Sequence, residues 1–427
     1  ATKDVPWTRS ESYSPPADSN PLVMQVSVGA PGSWSDIGRW YAKLAQDRFH
    51  ADSSLRDTVR AVVLHARSLE DSISALQRWV AQDVRYVSVS LGIGGYQPRT
   101  PGTVLSTGFG DCKDKATLFI AALRVIGVDA YPVLLNAGGR PDRSLPTIGA
   151  FDHEIAAIKR QSGYEFVDLT SEFSPLGTLP YPDASQFALV VHPDGTTEQV
   201  TTPADPANNN MTEVRMVGVL APDGTISGRV TWRGTGNAAL YMRAAMATRM
   251  DSTQREAFLR RVAASWFPNT KGDSLVTFDG KDLRAEPVIS YAIRDGQATQ
   301  RSGNTDILLW HDESTKWSRA ADEFEARLPR LMPIDASAVV GPGSWITESR
   351  ITLPPNWHAR LPQNVTAASA FGRYEAVYQQ VGQELIVTRH LSGTTGIFPK
   401  ESAPELLAWL RALAKDRVSF IMLDHDA

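Results

Sequence analysis

The stretch that decides the fold is Gly110-Asp111-Cys112-Lys113-Asp114-Lys115, which the apolar run from Ala116 to Ile126 follows directly. The apolar run predicts a buried helix that ends at Gly127, because glycine readily takes the left-handed conformation that closes many helices. Cys112 is the only cysteine among the 427 residues, and it lies at the predicted start of this helix. A thiol at a helix N-terminus is well placed to act as a nucleophile.

The residues around Cys112 favour a reactive thiolate. Asp111 can cap the helix, and the positive end of the helix dipole would stabilise a negative sulfur together with the flanking Lys113 and Lys115. Gly110 has no side chain, which leaves room for a substrate backbone beside the sulfur. The local sequence therefore predicts a catalytic cysteine at position 112.

A cysteine nucleophile usually works with an imidazole whose second nitrogen is held by a third group. His153 is the nearest histidine downstream of Cys112, and Asp168 follows it. The two residues belong to strand-like stretches, His153 to Lys159 and Tyr164 to Leu169, that a short turn joins. The order of the three residues predicts a Cys-His-Asp triad.

The register of this hairpin decides whether His153 and Asp168 can meet. If the turn is centred between Gln161 and Ser162, the residue numbers of cross-strand partners sum to 323. His153 then lies opposite Thr170, and Asp168 is a diagonal neighbour on the same face, with Cβ atoms about 7 Å apart or less. A slip of one residue would turn Asp168 to the other face.

Composition limits the classes of function. Apolar residues make up 42% of the chain and charged residues 21%, as in ordinary globular proteins. The net charge is −4 and the basic residues are scattered, so no nucleic-acid partner is expected. No apolar stretch is long enough to span a bilayer. A single cysteine excludes an internal disulfide and a thiolate zinc site. The histidines His192, His311, His358, His390 and His425 show no metal-ligand spacing, and we assign neither a metal nor a cofactor.

The chain divides into four predicted parts. Residues 1–30 are rich in Ser and Pro and predict a linker. Residues 31–202 predict a catalytic core, with helices first and then one helix followed by strands. Residues 203–332 predict a mixed α/β middle region, and residues 333–427 a β-rich carboxy-terminal domain that ends in a helix, Ala403 to Lys415. This pattern is typical of an α+β protein.

A family resemblance rests on three segments of the sequence. Residues 84–133, VRYVSVSLGIGGYQPRTPGTVLSTGFGDCKDKATLFIAALRVIGVDAYPV, are followed by FDHEIAAI at 151–158 and YEFVDLT at 164–170. Together they resemble the core of the bacterial transglutaminase-like superfamily, and are most similar to the branch in which this core follows an amino-terminal β-rich domain of unknown function. The resemblance covers residues 30–190 and, more weakly, the later β-rich part. It implies a papain-like fold, in which a helix carrying Cys packs on an antiparallel sheet carrying His and Asp.

The resemblance implies that Cys112 is the nucleophile, His153 the general base and acid, and Asp168 the residue that orients the imidazole. The thiolate would attack an amide of a peptide or protein and form a thioester, which water or an amine then takes. Water would make the protein a peptidase or amidase, and an amine a transglutaminase. Because many bacterial relatives are regarded as hydrolases, hydrolysis is slightly favoured.

This sequence differs from the family in the residues that could donate hydrogen bonds to the oxyanion. Animal transglutaminases resemble this core but use a tryptophan upstream of the cysteine, where this sequence has Tyr86, Tyr96 and Gln97. We expect the backbone N–H of Cys112 to supply one donor and Gln97 the second.

Two other functions stay open at this stage. The protein is alternatively a non-catalytic peptide-binding or scaffold protein of the cell envelope, with the region after Pro203 as its main surface. A third possibility is an enzyme whose cleft is covered by the loop from Ala137 to Ala150 and by the downstream domain. A periplasmic or envelope location is expected from the resemblance and the Pro/Ser-rich first segment. The first residue, Ala1, is not Met, which suggests a processed or excised fragment without a recognisable secretory signal.

Overall fold

The computed structural model describes residues 11–16, 32–88, 91–205, 209–248, 250–303, 305–309, 315–417 and 420–425. The chain divides into two compact units. The cysteine unit comprises residues 16–205 and 281–284, and the β-rich unit comprises residues 1–15, 206–280 and 285–427. Within the described ranges, no helix is both long and apolar enough to cross a bilayer.

The helices of the cysteine unit begin at residues whose side chains accept a backbone N–H from the first turn. Ser33, Asp52, Ser68 and Thr100 cap the first four helices in this way. The helix bounds are α1 (Trp34–Ala45), α2 (Ser53–Val62), α3 (Leu69–Asp83), α4 (Pro101–Thr107) and α5 (Cys112–Val125). Two of these helices are predicted by the sequence alone: α1 by the Ser33 cap and its apolar face, and α3 by the apolar spacing of residues 68–82.

Two sheets complete this unit. Strands β1 (Arg85–Tyr86) and β2 (Phe109–Gly110) form a short parallel pair. The apolar alternation of residues 84–91 predicts one longer strand, and this prediction is wrong in length, since β1 has only two residues and 89–90 lie outside the described residues. The second sheet is antiparallel, with the order β5-β4-β3-β6-β7. Its strands are β3 (Ala130–Leu135), β4 (His153–Lys159), β5 (Tyr164–Val167), β6 (Phe187–Val191) and β7 (Thr197–Thr201).

Helix α5 lies at the centre of the cysteine unit. It contacts β3 and β4 of the sheet and also α2, α3 and α4. Every residue from Lys113 to Leu123 is buried, as expected for a helix that has neighbours on all sides. Gly127 adopts the left-handed conformation at φ 78° two residues after the helix, which confirms the predicted end. The mixture of helices and antiparallel sheet confirms the α+β class.

The β-rich unit is built on one eight-stranded sheet with the order β10-β11-β9-β8-β15-β19-β18-β17. Its elements are β8 (Met211–Leu220), β9 (Thr225–Gly234), α6 (Gly236–Met246), α7 (Ser252–Ala264), β10 (Lys271–Val276), β11 (Val288–Gln297), β12 (Thr299–Ser302), β13 (Thr305–Leu308), α8 (Thr315–Glu325), β14 (Ile334–Asp335), β15 (Ser344–Thr352), β16 (Trp357–Arg360), β17 (Val365–Ser369), β18 (Gly372–Val381), β19 (Glu384–Gly393), β20 (Ile397–Phe398), α9 (Ala403–Arg417) and β21 (Met422–His425).

This sheet corrects the predicted boundary at residue 333. Strand β15 pairs in parallel with β8 from Ser344 opposite Met211 to Thr352 opposite Val219. The hydrogen bonds between these strands join the predicted middle region to the predicted carboxy-terminal domain. The two regions therefore form one unit, because neither can keep its part of the sheet without the other.

The predicted linker also has a folded part. The Glu11 carboxylate accepts backbone hydrogen bonds from Leu331 and Met332, and it lies 3.7 Å from Nη2 of Arg330. Both side chains of this pair are buried, with 0% and 1% exposed. Tyr13 accepts a backbone hydrogen bond from Asp335 at 2.7 Å. Residues 11–15 are thus part of the β-rich unit rather than linker.

Replacing Glu11 by Ala should destabilise the β-rich unit by about 3–5 kcal/mol, because the change leaves the Arg330 guanidinium buried without its counter-charge. Chemical denaturation followed by circular dichroism measures the loss. The double variant with Glu11→Ala and Arg330→Met is the control, and it should lose less than Glu11→Ala alone. An unchanged denaturation midpoint in Glu11→Ala would show that residues 11–15 do not stabilise this unit.

Candidate active site

Cys112 is the first residue of α5 and is partly exposed. The start of the helix is fixed by a capping box, in which the Asp111 side chain accepts from the Asp114 N–H and the Asp114 side chain accepts from the Asp111 N–H. A Cβ atom on Gly110 would lie 2.7 Å from the Asp114 Cβ. Glycine is therefore required here for the close approach of β2 to the helix, whereas the sequence suggested room for a substrate.

The lysines beside Cys112 have partners other than the sulfur. Lys113 forms a buried ion pair with Asp111. Lys115 is fully buried and donates to the carbonyl oxygens of Ala81 at 3.0 Å and Val84 at 2.8 Å. These carbonyls lie at the end of α3, where helical carbonyl groups lack intrahelical partners. Lys115 therefore fastens α3 to α5, and its burial lowers its pKa to about 8.

Strands β4 and β5 pair in the predicted register. Ala156 lies opposite Val167 and Lys159 opposite Tyr164, so the residue numbers of both pairs sum to 323. His153 is the first residue of β4, and Asp168 follows the last residue of β5. The register brings the two side chains together, with 3.4 Å between Nε2 of His153 and Oδ1 of Asp168.

The surroundings of His153 keep its imidazole charged. Burial alone would lower its pKa, but hydrogen bonds with Asp168 and Cys112 and the charges of Asp168 and Asp183 raise the pKa to about 11. An imidazolium hydrogen-bonded to a cysteine is the arrangement that favours a thiolate. Cys112 is thus among the groups that keep the proton on His153.

Asp168 remains ionised although it is buried. Burial raises its pKa, but the hydrogen bond and charge of His153 and the N–H and hydroxyl of Thr170 outweigh that effect and lower it. The Thr170 N–H and Oγ1 both lie 2.8 Å from Oδ1 of Asp168. Thr170 was predicted as the residue opposite His153, and its role in holding the carboxylate was missed.

The structure adds Asp183 to the predicted residues. It lies in the segment after β5 and is buried, with 2% of its surface exposed. Within the described ranges, His153, Asp168 and Asp183 are the group of side chains whose ligand atoms, all within 4.8 Å of one another, could hold a metal ion. His153 and Asp168 are also the predicted base and its orienting residue, and hydrogen bonds already engage the Asp168 carboxylate. We therefore treat the group as a hydrogen-bonded cluster. Asp183 carries no sequence signal, because it lies in a short 3-10 turn rather than in a periodic element.

The opposite face of β4 carries a second buried acid. Glu154 accepts a hydrogen bond from the hydroxyl of the buried Tyr41, and its Oε1 has no partner among the described residues. Burial is the largest cause that raises the pKa of Glu154, to about 8. Glu154 is therefore neutral over much of the neutral pH range, close behind the strand that carries the imidazolium.

The predicted second oxyanion donor has another partner. The Gln97 amide nitrogen donates to the carbonyl oxygen of Leu44 at 2.8 Å and so ties its loop to the end of α1. Tyr96 packs edge-on against Trp40, with 5.6 Å between ring centroids. Tyr86 instead interacts with the nucleophile, since its pKa is raised by partial burial and then by the charge of Cys112.

The chain resembles known proteins in sequence and in fold. Residues 56–161 match the model of the Transglutaminase-like superfamily. No curated protein gives a significant match. The crystal structure of a candidate protease from Parabacteroides distasonis is similar at a TM-score of 0.51 and 9% identity, over 91% of this chain and 58% of that protein. A candidate cysteine protease from Cytophaga hutchinsonii is similar at a TM-score of 0.23 and 17% identity, over 36% of this chain and 46% of that protein.

The family match covers the elements that carry the site. It includes Cys112 on α5 and His153 on β4. Residues 56–161 of the chain therefore form a transglutaminase-like domain. The likeness to the first structure extends over both units of the chain but only part of the other protein, and at 9% identity it concerns the fold. The chain spans 58% of the length of that protein.

Replacing Glu154 by Gln should change how stability depends on pH. The folded protein holds the Glu154 proton up to a pKa of about 8, whereas the unfolded chain releases it above the ordinary value of 4.5. Glu154 therefore makes the folded protein less stable as pH rises from 4.5 towards 8. The Glu154→Gln variant lacks this loss, so its melting temperature should rise relative to that of wild type over the same range. Thermal melts between pH 4.5 and 8 measure the difference, with the exposed Glu256→Gln of α7 as control. If the melting temperatures of wild type and Glu154→Gln change with pH in parallel, the raised pKa of Glu154 is wrong.

Proposed function

We propose that the protein is a cysteine-dependent amide acyl-transfer enzyme that acts on peptide or protein substrates. The observation that carries the proposal is the position of His153, which lies 3.4 Å from Asp168 and whose pKa is raised by its interactions with Asp168 and Cys112. In this triad Cys112 is the nucleophile, His153 the general acid and base, and Asp168 the group that holds the imidazolium in place.

The reaction follows from the charges at the site. The Cys112 thiolate forms a bond to the carbonyl carbon of the substrate amide, and the carbonyl oxygen becomes an oxyanion. The carbon–nitrogen bond then breaks as His153 gives its proton to the departing amine, which leaves a thioester on Cys112. Neutral His153 next takes a proton from the attacking water or amine, and the sulfur leaves as thiolate. The product is an acid or a new amide, and the imidazolium is restored.

Two donors are proposed for the oxyanion. The first is the backbone N–H of Cys112, which lies in the first turn of α5, where N–H groups have no intrahelical acceptor. The second is the Tyr86 hydroxyl in place of Gln97. Tyr86 lies on β1 next to Gly110 of β2, two residues before the nucleophile, and interacts electrostatically with Cys112.

We propose hydrolysis as the main reaction, with transfer to an amine as its competitor, and we propose an envelope location on the resemblance of the core to bacterial relatives. A non-catalytic scaffold has no need for a histidine hydrogen-bonded to the cysteine and an ionised carboxylate behind it. The contact between Cys112 and His153 therefore supports the enzyme over the scaffold.

Cys112 should react with iodoacetamide at neutral pH, and replacing it by Ala should abolish turnover. Since Cys112 is the only cysteine, mass spectrometry of the intact protein reports its labelling without ambiguity. Peptide and cell-wall peptide mixtures incubated with wild type should gain about 18 Da on hydrolysis, or lose about 17 Da on crosslinking with release of ammonia. His153→Asn should slow labelling at pH 6 by about tenfold, because it removes the imidazolium that favours the thiolate. A Cys112 that stays unlabelled in wild type would overturn the proposed function.

Tyr86→Phe should lower kcat on any substrate so identified by about 100-fold, the usual loss when one oxyanion donor is removed. The alkylation rate of Cys112 should stay near that of wild type, because no oxyanion forms in that reaction. Gln97→Ala is the matched control and should leave kcat within about threefold of wild type. The reverse pattern, a large loss in Gln97→Ala and none in Tyr86→Phe, would return the role of second donor to Gln97.

A further inference from the structure

We propose that Asp183 is a positioning residue of this site, a carboxylic acid that shares a proton with Asp168 and holds that carboxylate towards His153. The inference rests on the proposed function and adds a fourth side chain to the triad. It assigns a role to a buried acid that the reaction as described above does not use.

Asp183 lies next to the triad. Its ligand atom and those of His153 and Asp168 all lie within 4.8 Å of one another. The side chain is buried, and its Oδ2 atom has no hydrogen-bond partner among the described residues. A buried carboxylate oxygen without a donor is costly, but a protonated oxygen can itself donate to a neighbouring carboxylate.

The backbone fixes Asp183 in this position. Its N–H donates to the carbonyl oxygen of Pro180 at 3.0 Å, and its own carbonyl oxygen accepts from the Thr202 hydroxyl at 2.5 Å. The carbonyl oxygen of the preceding residue, Pro182, accepts from the Gly138 N–H at 2.7 Å. The side chain is therefore aimed at Asp168 by an anchored segment.

The charges decide which of the two acids keeps the proton. Two buried carboxylates in contact cannot both ionise at ordinary pH. Asp168 has His153 and Thr170 as donors and remains ionised, so the proton stays on Asp183. Burial, followed by the charge of Asp168, raises the pKa of Asp183 to about 8. The other charged groups facing Asp183 are His153, which opposes the rise, and Asp152, which adds to it.

The shared proton gives Asp168 a donor on the side away from His153. With Thr170 and Asp183 both donating to it, the carboxylate cannot rotate away from the imidazolium without losing a hydrogen bond. Asp183 acts through Asp168 and touches neither the substrate nor the sulfur. Its effect should therefore appear in how the alkylation rate of Cys112 depends on pH.

The test uses the full chain and the alkylation of its single cysteine, so no substrate is needed. Rates with neutral iodoacetamide and anionic iodoacetate are measured from pH 5 to pH 10 in wild type, Asp183→Asn and Asp183→Ala. Ionisation of Asp183 adds a negative charge near Cys112, so the iodoacetate-to-iodoacetamide rate ratio of wild type should fall by about threefold as pH passes the pKa of about 8. Asp183→Asn cannot ionise and should show a clearly smaller fall than wild type, the remainder being due to Lys115, whose pKa is also about 8. Glu154→Gln, the control for the other acid that titrates near 8, should show the same fall as wild type.

The two substitutions of Asp183 also separate positioning from packing. Asp183→Ala removes the donor to Asp168 and should slow iodoacetamide labelling at pH 6 by about fivefold, whereas the Asn amide can still donate and should restore at least half of the wild-type rate. Thermal melts show whether Asp183→Ala folds, and if it does not, the pH profile of Asp183→Asn decides alone.

The outcomes keep this inference apart from the proposed function. Wild-type pH profiles in both Asp183 variants, with labelling still dependent on His153, would overturn the shared proton and leave the triad intact. No labelling of wild-type Cys112 would overturn both. If a chelator or added Zn²⁺ changes labelling in wild type but not in Asp183→Asn, the cluster holds a cation and the shared proton is wrong.

Discussion

The architecture of the site depends on the buried first turn of α5. This turn is polar but enclosed, so each of its side chains must find a partner inside the protein. Asp114 accepts from the Arg99 backbone N–H at 2.7 Å and from its guanidinium at 2.9 Å, and Lys115 binds the last carbonyls of α3. Each polar contact ties another segment to the turn that carries Cys112, so the sulfur is held by the cysteine unit as a whole.

Strand β4 supplies the second constraint, through the alternation of its side chains. His153 and Glu154 are adjacent and point to opposite faces, and both lie in buried surroundings. On one face the imidazolium has the Asp168 carboxylate beside it. On the other, Glu154 accepts from the Tyr41 hydroxyl and keeps its proton up to a pKa of about 8, because burial outweighs the charges of Lys113 and His153. The strand thus carries a charged imidazole and a neutral acid on its two faces.

The sequence was sufficient where the determining signal is local. Ser33, Ser68 and Gly127 mark helix ends through their own backbone and side-chain chemistry, and the hairpin register follows from a short turn. It was insufficient where distant segments meet. Pairing of β8 with β15 joins residues more than a hundred positions apart, and Asp183 reaches His153 and Asp168 from a short 3-10 turn, Tyr181–Asp183. Helices α2 and α4 were also missed; both are short, and each buries only two side chains.

Buried ionisable groups destabilise a fold unless they are paired or neutral, and this core contains several of them. Lys115, Glu154 and Asp183 each have a pKa that burial moves to about 8, towards the neutral form. His153 shows the opposite behaviour, because its anionic partners more than offset burial. The imidazolium of His153 thus faces the ionised Asp168, while Asp183 beside it and Glu154 behind its strand can remain protonated. Because apolar side chains in the places of these neutral acids would cost less to bury, we infer that the acids act on the electrostatics of the site rather than on its packing.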